Sequence, residues 1–154
     1  MKRIIGLVFV LAIPVAPFAD NASGDYKELK ALEGQWKAVA MEAGGKPFPK
    51  ESVPDFTFIV GANGKSTGQS PQGEYQATIT VDPKKSPKTI DNLHESGTQN
   101  GKKQYGIYKL ERDKWTVCMT LPGVAESDLP KDFNTTGTAT VVFVFERLKE
   151  NKRP

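Results

Sequence analysis

His94 is the sole histidine of the chain, flanked by Glu95 and three residues after Asp91, which makes it the first residue to weigh for acid–base work or metal ligation. A metal site of the usual kind needs three or more convergent ligands, and the sequence holds no His-x-x-x-His pair and no Cys/His cluster. His94 therefore reads as a surface histidine at a strand end. Cys118, the sole cysteine, has only the distant His94 as a partner. Within Trp115-Thr116-Val117-Cys118-Met119 it reads as a small buried residue, not a nucleophile. Gly64-Lys65-Ser66 has the ending of a phosphate-cradling loop, but Ile59 stands where the first glycine is required, which leaves a turn. Asp91, Glu95, Glu111 and Asp113 are dispersed over turns and strand ends, so paired-carboxylate chemistry has no support. No catalytic residue, metal ligand or cofactor is assigned.

Recognition remains. Phe58, Tyr105, Tyr108, Trp115, Met119 and Phe143, with Phe56 beside them, are the side chains most able to line an apolar pocket. Strands place alternate side chains on one face, so the parity of each strand decides which of them meet a ligand and which are plain core.

The elements that must position these residues are almost all strands. Gln35 to Glu42, Phe56 to Val60, Glu74 to Val81, Lys88 to Leu93, Lys103 to Leu110, Lys114 to Leu121 and Thr140 to Leu148 are rich in β-branched and aromatic residues, with an eighth candidate around Lys65 to Gln69. Short turn signals separate them, among them Gly61-Ala62-Asn63-Gly64, Ser70-Pro71-Gln72-Gly73 and Asn100-Gly101, which predicts antiparallel hairpins. Tyr75, Ala77, Ile79 and Val81 alternate with polar residues, as a strand with one wet face does. Val141 to Phe145 is apolar throughout and predicts a last strand covered on both sides, for example by the interior and by an N-terminal helix. That helix is expected over Asp25 to Leu32, with Asp25 and Glu28 at capping-box spacing. Two connections exceed hairpin length, Ala43 to Asp55 and Pro122 to Thr138. Their Phe48, Leu129 and Phe133 could close over a barrel mouth, but anchoring the loops to the core is the favoured reading.

Residues 1–19 have the layout of a signal peptide: Met1-Lys2-Arg3, the apolar run Ile4 to Ile13, and an exit ending in Ala19, with cleavage after Ala22 as the alternative. Export to the periplasm or the medium is expected. The run is well short of the roughly 20 residues a spanning helix needs, so no membrane span is expected. Loss of Lys2 and Arg3 takes the basic residues from 21 to 19 against 18 acidic ones. With these charges interspersed, the footprint of a nucleic-acid binder is missing. A single cysteine cannot form an internal disulfide. About 135 mature residues suit one domain, read as a linker and helix over 20–31 and a barrel over 32–150.

Gly34-Gln35-Trp36, placed after the helix, is similar to the Gly-x-Trp start of a lipocalin-like barrel. The wider chain from Leu32 to Leu148 resembles a family of exported lipocalin-like, calycin-type domains of unknown function, best known from planctomycete bacteria. The carriers are Leu32-Glu33-Gly34-Gln35-Trp36-Lys37, Gly44-Gly45-Lys46-Pro47, the block Asp82 to Asp91, Gly106-Ile107-Tyr108-Lys109-Leu110, Val117-Cys118-Met119 and Phe145-Glu146-Arg147-Leu148. The chain departs from the family's commonest pattern in Ser70 to Gln76 and at Trp115. The resemblance implies an all-β, antiparallel up-and-down barrel of about eight strands with a short N-terminal helix. It also implies that Gly34, Trp36 and Arg147 close the barrel, the arginine packed on the indole. It brings no activity. The function expected is a secreted, non-catalytic module holding a small apolar or amphipathic ligand. A solid barrel presenting its long loops to a protein partner in the envelope is the alternative, and an enzyme whose site lies near Tyr105, Tyr108 and His94 is the third reading.

Overall fold

The computed structural model describes residues 22–149 and is a closed antiparallel barrel of eight strands with one helix. The expected leader, residues 1–19, lies outside the described residues. Helix α1 (Ala22–Leu32) leads into β1 (Gly34–Ala43), and a two-residue strand β2 (Lys46–Pro47) pairs back on the end of β1. The wall continues with β3 (Thr57–Val60), β4 (Lys65–Ser70), β5 (Gly73–Asp82), β6 (Lys88–His94), β7 (Lys103–Glu111), β8 (Lys114–Thr120) and β9 (Thr140–Arg147). Each pairs with the next in sequence, and β9 returns to β1, so no long edge is left open. A register shift between Ala38 and Ala40 gives β1 the extra bend that closure needs.

Side-chain parity follows from this register. Tyr75, Ala77, Ile79 and Val81 face inward, as their alternation predicts, and across the hairpin Ile90, Asn92 and His94 do the same. Gly106 of β7 also faces in. A Cβ there would press on the Met119 sulfur and on the backbone oxygen of Cys118, and backbone cannot yield as a side-chain tip can. Gly106→Ala is expected to cost about 1–3 kcal/mol by overpacking, read as a lower urea midpoint; an unchanged midpoint would mean that β8 moves freely.

One end of the barrel is filled. Trp36 and Leu32 are fully buried there, and Trp36 Nε1 donates to the Leu32 carbonyl at 2.8 Å. Arg147, directly opposite Trp36 in the β1–β9 register, lies 4.2 Å over the indole ring. Its guanidinium donates to the carbonyls of Ala31 (2.8 Å) and Glu33 and to Asp113 (3.1 Å). Arg147 thereby serves the orphan carbonyls at the end of α1 while covering the indole. Gly34 permits the approach, because its backbone has φ 127° and a Cβ there would crowd Arg147.

Two expectations about α1 and β9 are corrected. The helix already includes Ala22, so Asp25 stands within it and is not its cap. Glu28 instead turns to the barrel, accepting from Lys88 at 2.6 Å and from the Tyr108 hydroxyl at 3.0 Å. The outer face of β9 is covered not by α1 but by the long 121–139 connection. Phe133 packs there on Ile107, Cys118 and Val142, a second small core outside the barrel wall. Anchoring is thus what Phe133 does, aided by Lys109, whose ammonium lies 5.6 Å from its ring centre.

Candidate functional site

The other end of the barrel is open. A cavity of about 580 Å³ runs inward from the mouth formed by Pro54, the β4–β5 turn at Pro71 and Gln72, the β6–β7 loop at 96–99, and Leu121 and Pro122. The volume is within the range of about 300–1,000 Å³ typical of small-molecule sites. Its floor and one side are aromatic and aliphatic: Phe56, Phe58, Ile79, Ile90, Trp115, Val117, Met119, Phe143 and Phe145. These rings brace one another. Phe58 stands edge-on to Phe145 at 5.0 Å and Trp115 edge-on to Trp36 at 5.5 Å, which ties the cavity floor to the filled end.

Of the six sequence candidates, Phe58, Trp115, Met119 and Phe143 are on the cavity wall. Tyr105 and Tyr108 are not. Tyr108 faces in but belongs to the filled end, where its hydroxyl donates a hydrogen bond to Glu28. Tyr105 has the outward parity of β7. The three residues of the third, enzymatic reading, Tyr105, Tyr108 and His94, therefore lie at different places on the barrel and are not brought together.

His94 is the clearest departure from expectation. It is 9% exposed and faces the cavity, not the solvent. It belongs to a polar cluster confined to the β5–β6–β7 side near the mouth. The Gln104 amide donates to the Thr120 carbonyl at 2.8 Å, which fixes its oxygen toward the cluster. That oxygen accepts from His94 Nε2 at 2.7 Å and from the Asn92 amide at 3.3 Å, so Nε2 of the imidazole carries a proton. The Asn92 oxygen accepts from the Tyr75 hydroxyl at 3.0 Å, and the Tyr75 ring stands edge-on to His94 at 5.6 Å. The chain of bonds ends on a backbone carbonyl and is therefore held in one orientation.

Two buried polar atoms of wall residues have no partner, Trp115 Nε1 and Gln99 Oε1. The Trp115 ring packs among those of Trp36, Phe58 and Phe145. Among the described residues, no three His, Cys, Asp or Glu side chains converge as a metal site would require. Two of the four dispersed carboxylates are occupied elsewhere. Glu95 accepts from Lys65 at 2.6 Å and from Thr78, which holds it below its usual range, and Asp113 meets Arg147. Cys118 is fully buried outside the barrel wall, and burial pushes its thiol up and away from thiolate.

Burial also raises the phenol of Tyr75. The phenol of Tyr108 is raised by burial first and by the Glu28 carboxylate second. The sign follows from linkage. Below about pH 10 both phenols are protonated in folded and unfolded chains alike. Above it the unfolded chain loses protons that the folded barrel keeps, so stability falls as pH rises. A melting temperature that declines from about pH 10 upward, less steeply in Tyr75→Phe, is the expected result of a pH series; identical slopes would contradict it.

No protein family, curated protein or solved structure matches this chain in sequence or fold comparison. Function must therefore be argued from the cavity.

Proposed function

We propose that this protein is a binding module that takes one small molecule, apolar in body and polar at one end, into its barrel without acting on it chemically. The single observation that carries the reading is the cavity of about 580 Å³, aromatic at its floor and open at one end. An aromatic chamber of this kind gains from burying apolar surface, at roughly 25 cal/mol per Å² removed from water. The polar cluster at the mouth gives the ligand a direction. The rival reading, a solid barrel with interacting loops, is disfavoured by the open interior and by Phe133 being occupied against the outer wall. We further propose that the chain is exported, on the strength of residues 1–19, and that it is kin to the exported lipocalin-like domains it resembles. No helix among the described residues is long and apolar enough to cross a membrane.

The test is native mass spectrometry of mature protein from a secreting host grown in lipid-containing medium, before and after organic extraction. A released small molecule of defined mass is expected. Apo protein in both spectra, with no uptake of an added long-chain alcohol, would overturn the reading.

A further inference from the structure

The cavity's polar cluster has a composition that selects among ligand heads. Among the described residues that line the cavity there is no lysine and no arginine, and the one carboxylate, Glu74, stands exposed at the rim. A fatty-acid carboxylate brought to the level of Asn92 and Gln104 would find no lysine or arginine, and the His94 Nε2–H there is already given to Gln104; a charge taken from water without a partner is strongly disfavoured.

The free valences of the cluster suit another chemistry. Asn92 Nδ2 gives one hydrogen to Gln104 and lies 3.5 Å from His94 Nε2, which is itself a donor to Gln104 and cannot accept; Gln104 Nε2 gives one hydrogen to the Thr120 carbonyl, so each amide keeps a second hydrogen. The Tyr75 oxygen donates to Asn92 and takes a bond from the Ser66 hydroxyl, which leaves it one lone pair, and the Asn92 oxygen keeps one as well. Spare donors and spare acceptors thus lie side by side. A head that both gives and takes hydrogen bonds satisfies both, whereas a carboxylate can only accept and sets its charge against the Tyr75 and Asn92 oxygens.

Resting on the proposed binding role, we infer that the barrel selects ligands with an uncharged, hydrogen-bonding head, a primary alcohol or amide on an alkyl chain, against the carboxylate of the same chain length. The head lies against Asn92 and Gln104, and the chain runs down between Phe143 and Ile79 to Trp115.

Isothermal titration calorimetry at about pH 8, where a carboxylate is ionised, compares decan-1-ol, decanamide and decanoate on the same protein. The alcohol and amide are expected to bind at least about tenfold more tightly than decanoate, a gap of about 1.4 kcal/mol. Asn92→Leu, close in shape, is expected to close most of that gap by weakening the alcohol. Tyr75→Phe is expected to narrow the gap and serves if Asn92→Leu does not fold. Equal affinities, or decanoate the tightest, would overturn the head selection while leaving the binding role standing. Binding of none of the three would overturn both. A gap unchanged in the variant that folds would show that the cluster is not what selects.

Discussion

Trp36→Ala is expected to lower unfolding free energy by about 3–5 kcal/mol, the cost of deleting a large core aromatic. The residue is fully buried, donates to the Leu32 carbonyl, packs on Trp115 and carries the Arg147 guanidinium on its face. Truncation removes the ring, leaves the Leu32 carbonyl unpaired and takes away the surface on which Arg147 rests. Small domains have only about 5–15 kcal/mol in total, so much of the stability would be lost. Urea unfolding followed by far-ultraviolet circular dichroism measures it. A loss below about 1 kcal/mol would mean that α1 closes the end without the indole.

Val117→Trp is expected to do the opposite: preserve the fold and abolish binding. Val117 sits in the middle of the wall on β8, its neighbours on the same face being Trp115 and Met119, with Phe143 opposite in register on β9. An indole at this position has the cavity itself to enter, so the overpacking that penalises a filled core is relieved by empty space. The space then belongs to the protein and not to a ligand. Affinity for decan-1-ol is expected to fall at least about 100-fold, about 2.7 kcal/mol, with the melting temperature little changed. Retained affinity in a stable Val117→Trp protein would place the ligand outside the barrel.

The strands were legible because their patterns are local. Tyr75, Ala77, Ile79 and Val81 alternate over the whole of β5, and turns rich in glycine, asparagine and proline bound the neighbours. The strand candidates follow from that pattern, whereas closure into a barrel, like the pairing of Trp36 with Arg147, is what the family resemblance implies. The polar half of the cavity was not legible. In Thr89-Ile90-Asp91-Asn92-Leu93-His94, Ile90 and Leu93 lie on opposite faces, so hydrophobicity does not say which face is inner. Only the register with β5 turns Asn92 and His94 inward. Tyr105 and Tyr108, an odd number of residues apart on one strand, could not both face a cavity, and that signal was available. Phe56 and Phe145 fall on the inner wall by the same alternation. The cover that Phe133 gives β9 was out of reach, since an irregular loop has no period from which to infer what it packs against.

The central claim is that a ligand enters the barrel and reaches its floor, and Trp115 is a built-in reporter of that event. Titration with a terminally brominated long-chain alcohol, whose bromine quenches an indole only at short range, tests it directly. The account predicts quenching that saturates at one ligand per chain, is reversed by decan-1-ol, and is largely lost in Trp115→Phe. Quenching that rises without saturation, and equally in Trp115→Phe, would contradict it.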